Sequence, residues 1–317
     1  MDKLLVIRHL HVEAANAIAG VTWGFPAITS FLGLTHALQR KVQASISDKI
    51  ALSGCAVICH SSQVLAHSNN MGRESYFALT RNPLAKDGST APFNEEGRMH
   101  MDISLLISVS GPISPMVEDE LVEFIEKALF TSRVAGGTVK QLDEVELIKD
   151  IAEINRESGA RKSFLRKLLP GFALVSRDDV LKAHIEESKK TPLEALLDFS
   201  IRKMSGEIKG DKAEWRTERL GYIGWLKPIV VGYQGISKLY EAGEVCHVRD
   251  RTYPAQFVES IYSLGQWLSP HRISDLKHLL WHQEYQTDSA LYLCKNNYQP
   301  DSQASLSSET DQTIKEK

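Results

Sequence analysis

Apolar and polar residues alternate along residues 98–109, and this alternation predicts a β-strand. Its apolar face consists of Met99, Met101, Ile103, Leu105, Ile107 and Val109. Its other face carries Arg98, His100, Asp102, Ser104, Leu106 and Ser108. Because only Leu106 on this second face is apolar, we expect a strand that covers a core on one side and leaves the other side open.

Three other segments in the first half have strand patterns. One predicted face of residues 3–13 is apolar and consists of Leu4, Val6, Leu10 and Val12. Residues 55–66 form a second predicted strand, and residues 132–147 lead through a Gly-Gly turn into another. Together with residues 98–109, these segments predict four strands.

Two amphipathic helices complete this pattern. The first follows Pro26, which suits a first helical turn because its missing N–H needs no partner there. Its apolar stripe is Ile28, Phe31, Leu32, Thr35, Leu38 and Val42. The second helix covers residues 114–130. Its inward side chains are Val117, Leu121, Phe124 and Ala128.

The order β-α-β-β-α-β predicts an α+β fold with a ferredoxin-like, RRM-like domain over residues 1–150. In such a domain both helices cover one face of the sheet and leave the other face open. Residues 67–97 are a long insertion between the second and third predicted strands. Loops of this length inside a compact domain are usually functional or disordered.

Residues 151–298 are less regular, and we predict a second α/β region there. Helices are expected within residues 160–169, 191–204, 254–268 and 272–285, and strands within residues 172–177 and 224–237. The tail, residues 299–317, is polar with almost no apolar residues, so we expect it to be disordered.

The composition is ordinary for a globular protein of 317 residues, with 43% apolar residues and a net charge of −3. No apolar run is long enough to predict a membrane span, and the N-terminus has no signal-peptide pattern. Four scattered cysteines do not predict a disulfide framework, so we expect a reducing, cytoplasmic location.

No catalytic motif and no metal-ligand spacing is found in the sequence, so no catalytic residue, metal or cofactor is expected. His9 and His11 could form an acid/base pair, but such histidines are more often hydrogen-bonded at a strand end. Cys59 and His60 point to opposite faces of a predicted strand, and free cysteines commonly pack in cores.

Basic and glycine-rich segments predict phosphate binding. Gly136 and Gly137 allow a tight turn that directs N–H groups outward, although glycines also commonly follow a helix end. One predicted helix carries four basic residues and no acid, which suits a polyanion or a solvated surface. These residues are Arg161, Lys162, Arg166 and Lys167. Arg249 and Arg251 could bind the same polyanion or form internal ion pairs.

Residues 80–97 combine hydrogen-bond donors with almost no apolar content, so we expect a clamp that becomes ordered on single-stranded RNA. Arg81 and Lys86 would contact phosphate, Asn82 a base edge, and residues 88–90 would add backbone and hydroxyl donors. Bases would stack on Trp23, Phe25 or Phe93, although each of these rings is more often part of a core.

Eight segments resemble a RAMP-superfamily subunit of the Cas-five type, namely the second subunit of the Csy assembly in type I-F CRISPR surveillance complexes. They are TWGFPAITSFLGLTHALQR (22–40), LTRNPLAKDGST (79–90), EEGRMHMDISLL (95–106), RVAGG (133–137), LLPGFALVSR (168–177), GEV (243–245), RDR (249–251) and LGQWLSPHR (264–272). The segments occur in order over most of the chain, so the resemblance is specific.

The resemblance implies a non-catalytic subunit that holds the 5′ handle of CRISPR RNA. Such a subunit pairs with the large subunit, caps the filament of backbone subunits and meets target DNA only through the complex. The RNA surface that it implies consists of Arg81, Asn82, Arg98, Arg133, Gly136, Gly137, Arg249, Arg251 and Arg272. Arg40 and His100, which lie within the matching segments, are assigned to the same surface.

Two other functions stay open at this stage. A RAMP endoribonuclease that processes CRISPR RNA would need a catalytic group on the open face, where His9, His11 and His100 are available. A protein adaptor would instead use its basic surfaces on acidic subunits. An RNA affinity that falls steeply with ionic strength would argue against the adaptor.

Overall fold

The computed structural model describes residues 3–68, 75–77, 79–80, 84–90, 94–201, 203–209, 212–218, 224–248 and 250–300. In this part of the chain, a large antiparallel sheet and several helices form an α+β fold. None of the helices in these ranges is long and apolar enough to cross a membrane.

The first half follows the predicted order β-α-β-β-α-β, with the fourth predicted strand divided into three pieces. Its strands are β1 (Lys3–Asn16), β2 (Ile18–Ala19), β3 (Thr22–Trp23), β4 (Ala51–Val64), β5 (Ala66–Ser68), β6 (Ser75–Phe77), β7 (Leu79–Thr80), β8 (Asn94–Glu95), β9 (Arg98–Ser110), β10 (Arg133–Val134), β11 (Gly137–Gln141) and β12 (Glu144–Ile148). Its helices are α1 (Ile28–Ser45) and α2 (Pro115–Phe130).

The second half contains four short helices and seven strands within the described ranges. The helices are α3 (Ile151–Arg156), α4 (Ser158–Arg166), α5 (Asp178–Ser188) and α6 (Pro192–Asp198). The strands are β13 (Phe172–Ser176), β14 (Lys203–Lys209), β15 (Lys212–Glu218), β16 (Trp225–Gly235), β17 (Val258–Leu268), β18 (Trp281–Gln286) and β19 (Leu291–Asn296). Two 3-10 turns cover Pro270–Arg272 and Leu276–Leu279.

Strand β1 lies between β9 on one side and β11 and β12 on the other, and β9 pairs in turn with β4. Helices α1 and α2 cover one face of these strands and enclose the largest apolar core. The six apolar side chains of β9 and the six residues of the α1 stripe are all buried. The predicted helix-covered face is therefore confirmed.

The predicted single face of β1 is wrong. Leu10 and Val12 pack beneath the helices, but Leu4 and Val6 belong to the core on the opposite side of the sheet. The register shifts between Ile7 and Leu10, where His9 has a φ of 46°. A bulge of this kind inserts one residue and reverses the facing of the residues beyond it.

The second sheet face is also less open than predicted. The part of this face around Leu106 packs against Phe164 and Leu168, near the end of α4, and against β13. Ser104 is buried, whereas Arg98, His100 and Asp102 remain partly exposed. The second half of the chain therefore covers the middle of this face, while the end near Arg98 stays partly accessible.

Two predicted helices of the second half are wrong. Residues 254–268 contain the strand β17, and residues 272–285 contain a 3-10 turn followed by β18. The last six residues of β17 are buried on both faces. These residues do not alternate regularly between apolar and polar, so their pattern cannot be distinguished from that of a buried helix.

The remaining predictions of the second half are partly right. The predicted helix α4 and the predicted strands β13 and β16 are present. Helix α6 covers only part of the helix that was expected over residues 191–204. Helices α3 and α5, the hairpin of β14 and β15, and strand β19 were not predicted. The large sheet continues from β4 through β13, β17, β16 and β19 to β18, which returns to β4 at the Trp281–Cys55 pair.

Candidate nucleic-acid interface

A groove of about 940 Å³ lies at the end of the sheet between the start of β9, helix α1 and the segment after α2. We call it the basic groove. Its charged side chains are Lys41, Glu96, Arg98 and Arg133. Three cations and one carboxylate leave a formal charge of +2, which suits an anionic ligand.

The Gly-Gly turn forms one wall of the groove. Ala135 and Gly136 have φ values of 49° and 80° and connect β10 to β11. Two central residues with positive φ make a tight hairpin turn. The turn is therefore not a helix stop, because α2 ends earlier, at Phe130.

Gly137 is required by packing rather than by its φ. A Cβ atom at this position would lie 2.8 Å from the backbone nitrogen of Ala15 and 2.8 Å from the carbonyl oxygen of Glu13. The absence of a side chain therefore lets the turn approach β1. The turn is held further by the amide of Asn16, which donates to the carbonyl oxygen of Ala135 at 2.8 Å.

Arg98 lies in the groove with its guanidinium already oriented. Its Nε donates to Oε2 of Glu96 at 2.9 Å and its Nη2 to the same oxygen at 2.5 Å. Nη1 lies 3.5 Å from the carbonyl oxygen of Ala14. A fixed guanidinium can bind phosphate with less loss of side-chain freedom than a mobile one.

Lys41 and Arg133 are the less constrained cations of the groove. Lys41 Nζ donates to Oγ of Ser132 at 2.9 Å, and Arg133 donates to the hydroxyl of Thr138. Neither forms an ion pair with an acidic residue in the described part of the chain. Both therefore keep charge that an external phosphate can neutralise.

Sequence reasoning missed Lys41, and the helical period offered a signal for it. Ser30, Gly33, Leu34 and Ala37 line the groove together with Lys41, because residues three and four apart share one helix flank. The neighbouring Arg40, which was predicted, is exposed. Hydrogen bonds from Thr252 chiefly hold the pKa of Asp250 below its usual range, and Arg40 adds to the effect.

The two predicted stacking rings near α1, Trp23 and Phe25, differ in exposure to solvent. Trp23 is 57% exposed, and its ring meets Phe77 edge-on with ring centroids 5.7 Å apart. Phe25 is buried against Phe31 and Trp267. This corrects the expectation for Phe25, because a ring inside the core has no free face for a base.

Only part of the predicted clamp lies among the described residues; Arg81, Asn82 and Phe93 lie outside them, as does Arg249. Lys86 is exposed. It belongs to a tight turn in which the amide of Gly88 donates to the carbonyl oxygen of Ala85 at 2.9 Å. The hydroxyl of Ser89 donates to Asp87 at 2.7 Å, so these two predicted donors are used within the turn.

A row of polar side chains follows β9 away from Arg98. The row contains His100, Asp102 and Ser104, together with His9 of β1 and His60 of β4. His100 Nδ1 accepts from the amide of Ala14 at 3.3 Å, and Asp102 accepts from Nδ1 of His9 at 2.9 Å. We call this set the histidine row.

His60 lies beside Ser104, at the end of the histidine row away from Arg98, and two hydrogen bonds hold its ring. Its Nδ1 donates to the carbonyl oxygen of Pro170 at 2.7 Å, and the hydroxyl of Ser104 donates to its Nε2 at 2.7 Å. Burial lowers the pKa of His60 below its usual value, against the opposing effect of the bond to Pro170. This imidazole is therefore a neutral structural group.

A second basic surface lies on α4. Lys162, Arg166 and Lys167 are exposed, and the 3-10 turn that carries the exposed Arg272 packs against this helix. Arg161 instead donates to the carbonyl oxygen of Ser274 at 2.8 Å and ties α4 to the segment between the two 3-10 turns. Arg161 therefore has a structural role, and its phosphate contact stays a prediction.

The predicted basic residues therefore form two surfaces. Arg98, Arg133 and Gly136 meet in the groove, whereas Arg166, Lys167 and Arg272 lie on the second surface. Arg251 is exposed in the loop that carries Asp250, the carboxylate influenced by Arg40.

The two buried cysteines, Cys55 and Cys294, pack as core groups. Burial raises the pKa of Cys55 to about 12 and that of Cys294 to about 12. Thiols of this kind stay protonated and pack as small apolar groups. No group of three potential metal ligands occurs among the residues that the structure describes.

Comparison with known proteins identifies relatives over nearly the whole chain. The family described as CRISPR-associated protein (Cas_Csy2) matches residues 5–294. The CRISPR-associated protein Csy2 of Pseudomonas aeruginosa (strain UCBPP-PA14) is 37% identical over 310 residues, which cover 92% of this chain and 94% of the relative. The chain therefore belongs to the Csy2 family, the second subunit of the Csy complex of type I-F CRISPR systems.

Proposed function

We propose that this chain is a non-catalytic RNA-binding subunit that holds the 5′ handle of CRISPR RNA in the basic groove. The observation that carries the proposal is the meeting of Lys41, Arg98 and Arg133 beside a tight glycine turn. Phosphate groups favour such a combination of charge and close backbone approach. Membership of a CRISPR-associated family supports RNA as the source of the phosphates.

The proposal includes the finer fold assignment. We infer that the first half is a ferredoxin-like RAMP domain, because its strands lie in the antiparallel order β11/β12, β1, β9 and β4 with both helices on one face. The β-α-β-β-α-β order of a split βαβ unit supports this assignment. The free thiols of the described cysteines support a cytoplasmic location.

The hairpin of β14 and β15 supports a contact with another subunit. Cross-strand pairing places Met204, Ile208 and Trp215 on one face, and these side chains are 58%, 84% and 67% exposed. Exposed apolar surface of this extent is typical of protein–protein contacts. We propose that the chain pairs with the large subunit and caps the backbone subunits, and that target DNA is met only through the complex.

The groove is tested by Lys41→Ala combined with Arg133→Ala. The affinity for single-stranded RNA should fall by about 3 kcal/mol, at about 1.5 kcal/mol for each charged contact. The slope of log affinity against log salt should decrease by about 1.4, at about 0.7 for each phosphate on a single strand. Fluorescence anisotropy over a salt series measures both quantities.

The control is Lys127→Ala combined with Lys182→Ala, which removes two exposed lysines that pair with acids on their own helices. This control should retain the affinity and the salt slope of the unchanged protein. Equal losses in both double variants would show that general charge, rather than the groove, determines RNA binding.

The His9–Asp102 pair is the one observation that favours the alternative endoribonuclease function. A carboxylate-bound imidazole is a possible general base. However, both ring nitrogens of the neighbouring His60 are already hydrogen-bonded, so this histidine is not available as a proton donor. Hairpin RNA from the host repeat should therefore stay intact with the isolated chain, and specific cleavage products would establish the alternative.

A further inference from the structure

We propose that His9 accepts a hydrogen bond from a ribose 2′-hydroxyl of the bound RNA and thereby favours RNA over DNA. This inference rests on the proposed RNA-binding function and assigns a specificity role to a residue outside the basic groove. Four observations carry it: the hydrogen bonds of the imidazole, its exposed nitrogen, its strained backbone and its position between the two basic surfaces.

The bond to Asp102 determines which nitrogen of His9 is free. A carboxylate only accepts, so Nδ1 of His9 carries the hydrogen and donates it to Asp102 at 2.9 Å. In the neutral imidazole, Nε2 is then an acceptor. It makes no hydrogen bond within the described part of the chain, and the side chain is 30% exposed.

The imidazole is held in place from two further directions. Its ring stacks on His60 with centroids 4.1 Å apart, and His60 is itself fixed by Ser104 and Pro170. The amide of His9 donates to the hydroxyl of Ser104 at 3.2 Å. A side chain fixed in this way can select one hydrogen-bond geometry.

The backbone of β1 is strained at both positions that face the histidine row. His9 has a φ of 46° and Ala14 a φ of 54°, and the amide of Ala14 donates to His100. Non-glycine residues in this region cost of order 1–3 kcal/mol and are concentrated at functional sites. Both positions coincide with breaks in the regular register between β1 and β9.

The chemistry at this position favours a hydrogen-bond donor rather than a phosphate. Asp102 lies directly behind His9, so a phosphate here would meet a carboxylate of the same sign. A ribose hydroxyl is neutral and supplies the hydrogen that Nε2 lacks. The 2′-hydroxyl is also the group by which proteins distinguish RNA from DNA.

The histidine row connects the two basic surfaces. Arg98 of the groove lies four residues before Asp102 on β9, which corresponds to about 13 Å along a strand. At the other end, His60 contacts Pro170, three residues after Lys167 of the second surface. A single strand with phosphates on both surfaces would therefore cross His9 between them.

The test uses His9→Gly, because glycine adopts a φ of 46° without strain and should preserve the bulge. The probes are a single-stranded RNA with the 5′ sequence of the host CRISPR transcript and a series with one 2′-deoxy nucleotide at each position. In the unchanged protein, one position should lose about three- to tenfold in affinity on deoxy substitution, as expected for one hydrogen bond. In His9→Gly, that position-specific loss should vanish.

Three results would overturn the inference. His9→Gly could retain the deoxy profile of the unchanged protein, which would exclude a 2′-hydroxyl contact. Alternatively, His9→Gly could abolish the loss of affinity that follows the substitution of one base. That result would show that His9 accepts its hydrogen bond from a base rather than from a ribose hydroxyl. Failure of the unchanged protein to bind any of the RNAs would overturn the proposed function itself. His36→Ala, an exposed histidine of α1, is the matched control and should retain the deoxy profile.

Discussion

At the residue scale, the basic groove depends on side chains that the fold holds in place, such as the guanidinium of Arg98 bound to Glu96. Arg98, Arg133 and Gly136 were expected in the RNA surface and do meet in one groove. Phe25 and Arg161 were expected there too, but Phe25 lies in the core and Arg161 ties α4 to Ser274. Burial and long-range hydrogen bonds depend on tertiary packing, which the local pattern does not contain.

His60 predicts a pH dependence of stability. Because its pKa is lowered in the folded protein, the unfolded chain binds more protons as pH falls below the ordinary value of 6.5. The free energy of unfolding should therefore decrease in that window, by at most about 1.4 kcal/mol per pH unit for this one proton. The decrease should level off once the folded protein is protonated as well.

The measurement is urea unfolding of the unchanged protein and of His60→Asn between pH 7 and pH 5. His60→Asn should be less sensitive to pH in this range. Some dependence should remain, because burial also lowers the pKa of His282. The same slope in both proteins would mean that His60 does not titrate as its surroundings indicate.

At the element scale, the sequence predicted elements in which apolar and polar residues alternate regularly, and it failed where that alternation is missing. Strand β9 was predicted because the apolar residues of its core face alternate with polar residues, whereas the buried end of β17 shows no such alternation. The hairpin of β14 and β15 does alternate, with Gly210-Asp211 between its strands, so a sequence signal for it existed. The bulge at His9 could not be predicted, because it depends on Asp102 and Ser104 of another strand.

Helix α4 predicts sequence-independent RNA binding. Arg166→Ala combined with Lys167→Ala should weaken binding of all single-stranded RNAs by a similar factor, because these charges contact phosphate without reading a base edge. The slope of log affinity against log salt should fall by about 1.4 if both residues neutralise phosphates. Anisotropy titrations with the handle sequence and a scrambled sequence give both values, and a loss confined to the handle sequence would contradict the phosphate role.

At the scale of the whole molecule, one antiparallel sheet runs through both halves of the chain. The first half was predictable as a unit because its helices and strands alternate in a regular order. The sequence did not predict that the second half of the chain covers the other face of these strands. This covering depends on packing between residues far apart in sequence, such as Leu106 and Phe164. The division into residues 1–150 and 151–298 stays a prediction, since the β4–β13 pairing joins the two parts.

The exposed face of the β14–β15 hairpin predicts that the isolated chain self-associates at micromolar concentration. Ile208→Lys combined with Trp215→Lys should shift the protein toward a monomer, because two charges replace the exposed apolar contacts. Size-exclusion chromatography with light scattering measures the change. Val21→Lys is the control, since Val21 is 86% exposed in the other half of the chain. A monomeric unchanged protein would contradict the prediction.

The central claim is that single-stranded RNA occupies the basic groove, and photo-crosslinking tests it most directly. The 317-residue chain is bound to RNA that carries 4-thiouridine at successive positions of the 5′ handle, irradiated, digested and analysed by mass spectrometry. We predict crosslinked peptides from helix α1, from the start of β9 and from residues 131–136, which together line the groove. RNA that binds tightly yet crosslinks only to other segments of the chain would contradict the account.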